Sequence, residues 1–217
     1  MSDHLAWYVA RSSGIIAWAL VTLSLLWGLS ISTKVRPGGA RPAWLLDLHR
    51  YLAAVGTTFT FIHVGAIVAD SYTDFGVTQI LVPLASTWRP GPVAWGIVAL
   101  YLLLAVQITS YFRAKMPRRL WKAIHLTSLP LYAMATIHLV QAGSEASHPL
   151  LMAFVWASVA AVAIGLGYRL TARNRRPVRS PSAALLSPVP ATHVDVDSRE
   201  EQLAFDLARP RRPGRRR

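Results

Sequence analysis

An all-α integral membrane bundle of about five spanning helices is the fold this sequence predicts, on three observations. Of its 217 residues 53% are hydrophobic, and the mean hydropathy is +0.35. Charge is gathered into clusters, and the apolar runs between them approach the roughly 20 residues a helix needs to cross a hydrocarbon core of about 30 Å. The clusters rich in Lys and Arg fall in alternate loops, as the positive-inside rule requires. A formal net charge of +13 is large enough to suggest a nucleic-acid partner, but its division among alternate loops and the tail argues for membrane topology and no nucleic acid.

The elements follow in order. Residues 1–11 are short and polar and are expected outside the membrane, and 14–33 form the first span. A cleaved leader would carry a basic n-region and an A-x-A site closing its apolar run; this stretch has neither, so an uncleaved helix is expected, with Arg11 snorkelling at its start. Lys34, Arg36 and Arg41, set among Pro37, Gly38, Gly39 and Pro42, make a helix-breaking loop on the cytoplasmic side. The second span is 44–69. The segment from Asp70 to Pro92 is long and poor in positive charge, which places it outside. The third span, 93–112, has neither histidine nor charge and reads as scaffold. Arg113, Lys115, Arg118, Arg119 and Lys122 then crowd the most basic loop of the chain. The fourth span is 119–140, the loop from Gln141 to Pro149 reads as outside, and the fifth span is 150–170. Residues 1–170 thus form one membrane domain with N-out/C-in topology. Residues 171–217, rich in Arg, Pro and Ser, are expected to be a disordered basic tail attracted to anionic lipid.

Two of the spans each carry a pair of histidines: His49 and His63 on the second, His125 and His138 on the fourth. Spacings of 14 and 13 residues separate the members of each pair by roughly 20 Å at helical rise. Side by side, the two helices bring four imidazoles together as two facing pairs, His49 with His125 toward the inside and His63 with His138 toward the outside. An ionisable residue within a membrane costs about 2.5 kcal/mol or more unless paired or ligated, so four at two matched levels point to a site. With no cysteine in the chain, thiolate ligation, iron–sulfur clusters and disulfides are excluded, and two facing imidazole pairs are what two b-type haems need. Iron held by two imidazoles has no open position, which favours outer-sphere electron transfer. Arg41, Arg50, Arg118, Arg119 and Lys122 inside, and Arg11 or Arg89 outside, are candidates to neutralise haem propionates; snorkelling or topology accounts for each singly. Gly56, seven residues from both His49 and His63, either leaves room for a macrocycle or serves close helix packing.

One feature opposes the second pair. Thirteen residues leave an ideal helix about 220° out of phase. Pro130, between His125 and His138, removes a backbone hydrogen bond, and a kink or tighter turn there recovers part of that angle.

The unequal spacings, with His49-Arg50 opening the first pair and Trp121-x-x-x-His125 the second, resemble the membrane haem domain of ferric reductases and NADPH oxidases. The resemblance extends to Trp7-Tyr8-Val9-Ala10-Arg11 with Gly14, to Val82-Pro83 with Trp88-Arg89-Pro90, and to Thr109-Ser110, and covers about residues 5–170. These matches resemble the small bacterial members called ferric reductase-like transmembrane proteins. The resemblance implies two haem b groups, with His49 and His125 as axial ligands of the inner one and His63 and His138 of the outer. It further implies an oxidoreductase component in a bacterial inner or plasma membrane. No Gly-rich phosphate loop is present, so no flavin or NAD(P) site is expected in this chain. The expected partners are the lipid bilayer, a separate flavoprotein or quinol as donor, and an external acceptor such as ferric iron, oxygen or a redox protein. A quinol-linked cytochrome b anchor subunit is the alternative of the same chemistry. A histidine-based proton or metal-ion transporter is the alternative of another class, and it lacks acidic partners between the histidine levels.

Overall fold

The computed structural model describes residues 5–33, 41–70 and 76–174. His4, Lys34, Arg36, the Pro37-Gly38-Gly39 break and the basic tail from residue 175 on, His193 included, lie outside the described residues. The described chain is helical: α1 (Leu5–Thr33), α2 (Pro42–Ala69), a short α3 (Val77–Leu81), α4 (Pro90–Tyr111), α5 (Arg118–Leu126), α6 (Ser128–Ala142) and α7 (Pro149–Asn174). Among the described residues five segments are long and apolar enough to cross a membrane: α1, α2, α4, α5 with α6, and α7. Their outward faces carry bare apolar side chains such as Phe61, Phe154, Trp156 and Ile164, as helices bathed in hydrocarbon do.

Helix α1 begins at Leu5 rather than Gly14, so Arg11 lies within the helix instead of ahead of it. Proline opens α2 and α4, where its missing N–H costs no hydrogen bond and its fixed φ suits the first turn. Arg89, just before Pro90, adopts a left-handed φ of 42°. Its guanidinium donates to the carbonyl of Gln141 in the last turn of α6 at 2.8 Å, a favourable place for a cation.

The fourth span is two helices, and Pro130 explains the break. It has no N–H to offer the Leu126 carbonyl, and its ring crowds that group. The chain tightens there: the Thr127 N–H bonds to Ile124 at 3.0 Å, its hydroxyl donates to the same carbonyl at 2.6 Å, and the next helix starts from Thr127.

Helix α1 packs along α2, and α4 along α6, while α1 also meets α6 and α7. Two apolar clusters hold this arrangement. Leu25, Tyr132 and Val162 join α1, α6 and α7, and Ala99, Leu103 and Leu131 join α4 to α6 with Val21 of α1 against them. Two polar pairs also link helices inside: Trp18 Nε1 donates to Thr136 Oγ1 at 3.0 Å, and the Tyr132 and Ser158 hydroxyls bond at 2.6 Å. By contrast α2 and α4 scarcely touch, and the imidazoles occupy the space between these two sides.

Candidate functional site

The four intramembrane histidines form two facing pairs. His49 and His125 have ring centroids 6.0 Å apart at an interplanar angle of 74°, and His63 and His138 lie 6.3 Å apart at 75°. The break at Thr127 therefore turns both His125 and His138 toward α2 despite their unfavourable spacing. Each gap is too wide for a hydrogen bond between the rings. It is the gap a single metal ion needs, since two metal–imidazole bonds of about 2 Å plus the two ring radii come to about 6 Å.

Three of the rings are seated alike. His63 Nδ1 lies 2.6 Å from the Ala10 carbonyl oxygen, His49 Nδ1 2.9 Å from that of Ser24, and His138 Nδ1 2.8 Å from that of Pro92. A carbonyl only accepts, so each Nδ1 carries the proton and each Nε2 keeps its lone pair for a metal. Four residues beyond each accepting carbonyl stands a glycine against the ring. A Cβ on Gly14 would come within 2.8 Å of His63, on Gly96 within 2.7 Å of His138, and on Gly28 within 3.3 Å of His49. The helix backbone is thus both the wall and the hydrogen-bond partner of each imidazole, which only a residue without a side chain permits.

The fourth ring differs. His125 Nδ1 reaches only the Ser110 hydroxyl, at 3.4 Å, and the imidazole stacks on Trp121 at 4.9 Å and 24°. Ser110 stands 14 residues after Gly96, as Gly28 does after Gly14. The seats on α1 and α4 thus repeat at the same step as the histidines of α2.

A cavity of about 340 Å³ surrounds the His63–His138 pair, walled by Gly14, Trp18, Gly96 and Leu103 among others. At its rim Arg11 pairs with Glu145 of the α6–α7 loop and lies 4.0 Å from the Trp7 ring centre. Asp70, Trp88 and Ile80 of α3 complete the mouth. The rim of the other pair is cationic. Arg113 stands 5.0 Å from the centre of the Trp121 ring, and the charges of Arg113 and Arg169 both act on His125. The Trp121 indole N–H is buried and, with that of Trp27, has no partner among the described residues.

These features fit haem. The paired Nε2 atoms suit axial ligation, the glycine seats keep the rings hard against the backbone, and an orphaned donor beside Arg113 suits a propionate carboxylate.

Of the cations the sequence singles out, Arg11 lies at the rim of one pair, and Arg50 acts on His49 while pairing with Asp47 at 3.6 Å on an exposed helix face. Arg89 is spent on the α6 terminus. Arg41, Arg118, Arg119 and Lys122 are exposed. Gly56 serves packing: a Cβ there would meet Leu20 and Val21 of α1 at 3.3 and 3.5 Å, and no imidazole. Sequence reasoning missed Gly28, Gly96, Arg113 and Arg169. The signal for the glycines was the 14-residue step; nothing local marks the arginines.

Fold and site together define a class, a five-span helical membrane protein with two imidazole pairs stacked through its interior. A profile of the family "ferric reductase like transmembrane component" matches residues 13–136, more than half of the chain's 217 residues. The chain belongs to that family, which implies transmembrane electron transfer via haem. His49, His63 and His125 fall within the matched segment, and His138 lies two residues beyond it. No curated protein and no solved structure matches the chain.

Proposed function

We propose that His49 with His125, and His63 with His138, would hold two b-type haems in a relay across the cell membrane. Such groups, when bound, supply reversible one-electron chemistry at iron without an open coordination position. The observation that carries the reading is the pair of 6.0 and 6.3 Å gaps between imidazoles whose Nδ1 sides are already engaged. The protein's own part is to present Nε2 atoms, to exclude water with apolar helices, and to balance propionate charge. Arg113, Arg169 and the Trp121 N–H do so for the His49–His125 pair, and Arg11, by exchange with Glu145, for the other.

In this reading, supported by the basic loops, the His49–His125 pair faces the cytoplasm and the His63–His138 pair the outside, with N-out/C-in topology. Electrons then enter from a separate flavoprotein or quinol on the cytoplasmic side and leave to an external acceptor such as ferric iron, oxygen or a redox protein.

The test is haem content and a dithionite-reduced minus oxidised spectrum of the detergent-purified protein. Two low-spin b-type haems per chain are expected, with one lost or displaced in each of H49A, H63A, H125A and H138A. Retention of two full equivalents in all four variants would overturn the ligand assignment.

A further inference from the structure

Helix α4 carries one carboxamide that serves neither a histidine seat nor a rim. Gln107 Nε2 donates to the Ala53 carbonyl oxygen at 2.9 Å and to Thr57 Oγ1 at 2.6 Å, both on α2. The Thr57 hydroxyl in turn donates to the same Ala53 carbonyl at 2.8 Å, so its oxygen is free to accept. The two N–H bonds and the O–H bond therefore fix one geometry. By helical rise Ala53 and Thr57 stand roughly 6 and 12 Å beyond His49 on the way to His63. The clasp thus lies between the two imidazole levels, where α2 and α4 otherwise scarcely meet.

Helix α1 joins the two sides through α6 and α7, while α2 itself has little hold on α4 besides this bond. Each side of the bundle is internally packed, α2 on α1 and α4 on α6, but every imidazole gap spans from one side to the other. An amide in hydrocarbon has no water to fall back on, so releasing the clasp leaves an unpaired polar group. We propose that Gln107 is a positioning residue that fixes the separation and register of α2 against α4, and through them the gap between His49 and His125. That pair depends on it most. Gln107 is three residues from Ser110 and eleven from Gly96. His125 also has the weakest seat, a 3.4 Å contact to a hydroxyl, whereas His63 and His138 are each held by a carbonyl and a glycine.

Q107M, which preserves volume and removes the donor, tests this in the full chain. The spectroscopic readout rests on the haem reading above. The expected result is a shifted or broadened low-spin electron paramagnetic resonance signal and a moved midpoint potential for the His49–His125 site, with the other site unchanged. T57V, which keeps the Ala53 acceptor, is expected to move the same signal less. Signals identical to wild type in both variants, or equal shifts at both sites, would overturn the proposal. A second readout is independent of haem. The chain has no cysteine, so spin labels on the exposed positions of A54C and I108C report the α2–α4 distance directly. Q107M is expected to widen that distribution, and an unchanged distribution overturns the clasp. If wild type binds no haem while Q107M widens the distance, the haem reading falls and the clasp stands.

Discussion

A methyl group is the smallest change that tests the imidazole seats. G14A and G96A place a Cβ less than 3 Å from ring atoms of His63 and His138, a distance that forces the ring to move, whereas G28A leaves 3.3 Å to His49. Because the His63–His138 pair is squeezed in the first two variants, each is expected to lower haem content from two per chain toward one. G28A is expected to retain two with a changed His49–His125 spectrum. Haem quantitation on the three purified proteins checks the ranking. The histidines themselves were legible in the sequence, since ionisable groups in apolar runs stand out. Their seats were not, because glycines in membrane helices read equally well as close packing. That reading holds at Gly56, where a macrocycle was one of the two readings left open, and it fails at Gly14, Gly28 and Gly96.

Among the elements, the interruption at Thr127 shows how a sequence objection becomes a structural device. Thirteen residues of continuous helix would turn His138 away from His125. Pro130 breaks the hydrogen-bond ladder at Leu126, and the tight turn that results brings both rings to face α2. Restoring the N–H with P130A is expected to favour a continuous helix and to rotate α6 against α5. The His49–His125 site should survive, and the His63–His138 contribution to the reduced-minus-oxidised spectrum should fall by half or more. The spans were legible from length and hydropathy, but their ends were not. Helix α1 reaches back to Leu5, and Arg11 within it finds its partner far along the chain: it meets Glu145, 134 residues later. A local reading of residues 1–11 sees only polarity.

For the whole molecule, the chain's lack of cysteine makes orientation directly measurable. A114C, between the basic residues that follow α4, and S147C, in the α6–α7 loop, are both at exposed positions. With N-out/C-in topology, a membrane-impermeant thiol reagent is expected to label S147C in intact cells and A114C only after permeabilisation. The reverse pattern would invert the proposed direction of electron flow. Alternate-loop charge predicted this orientation. The action of Arg113 and Arg169 on His125 was beyond its reach, because it joins residues of separate helices in ways only the folded chain defines.

The 14-residue step shared by Gly14 and Gly28, His49 and His63, and Gly96 and Ser110 works as a ruler. Distance along the membrane normal is counted in helical residues, so it is quantised. One inserted residue between His49 and His63 would displace a ring by about 1.5 Å and rotate it by about 100°, away from its glycine, its carbonyl and its partner at once. The spacing of the two levels can change only if several helices change together. A third level, another roughly 20 Å further on, would overrun a hydrocarbon core of about 30 Å. Two is the number of such stations that a bilayer can hold.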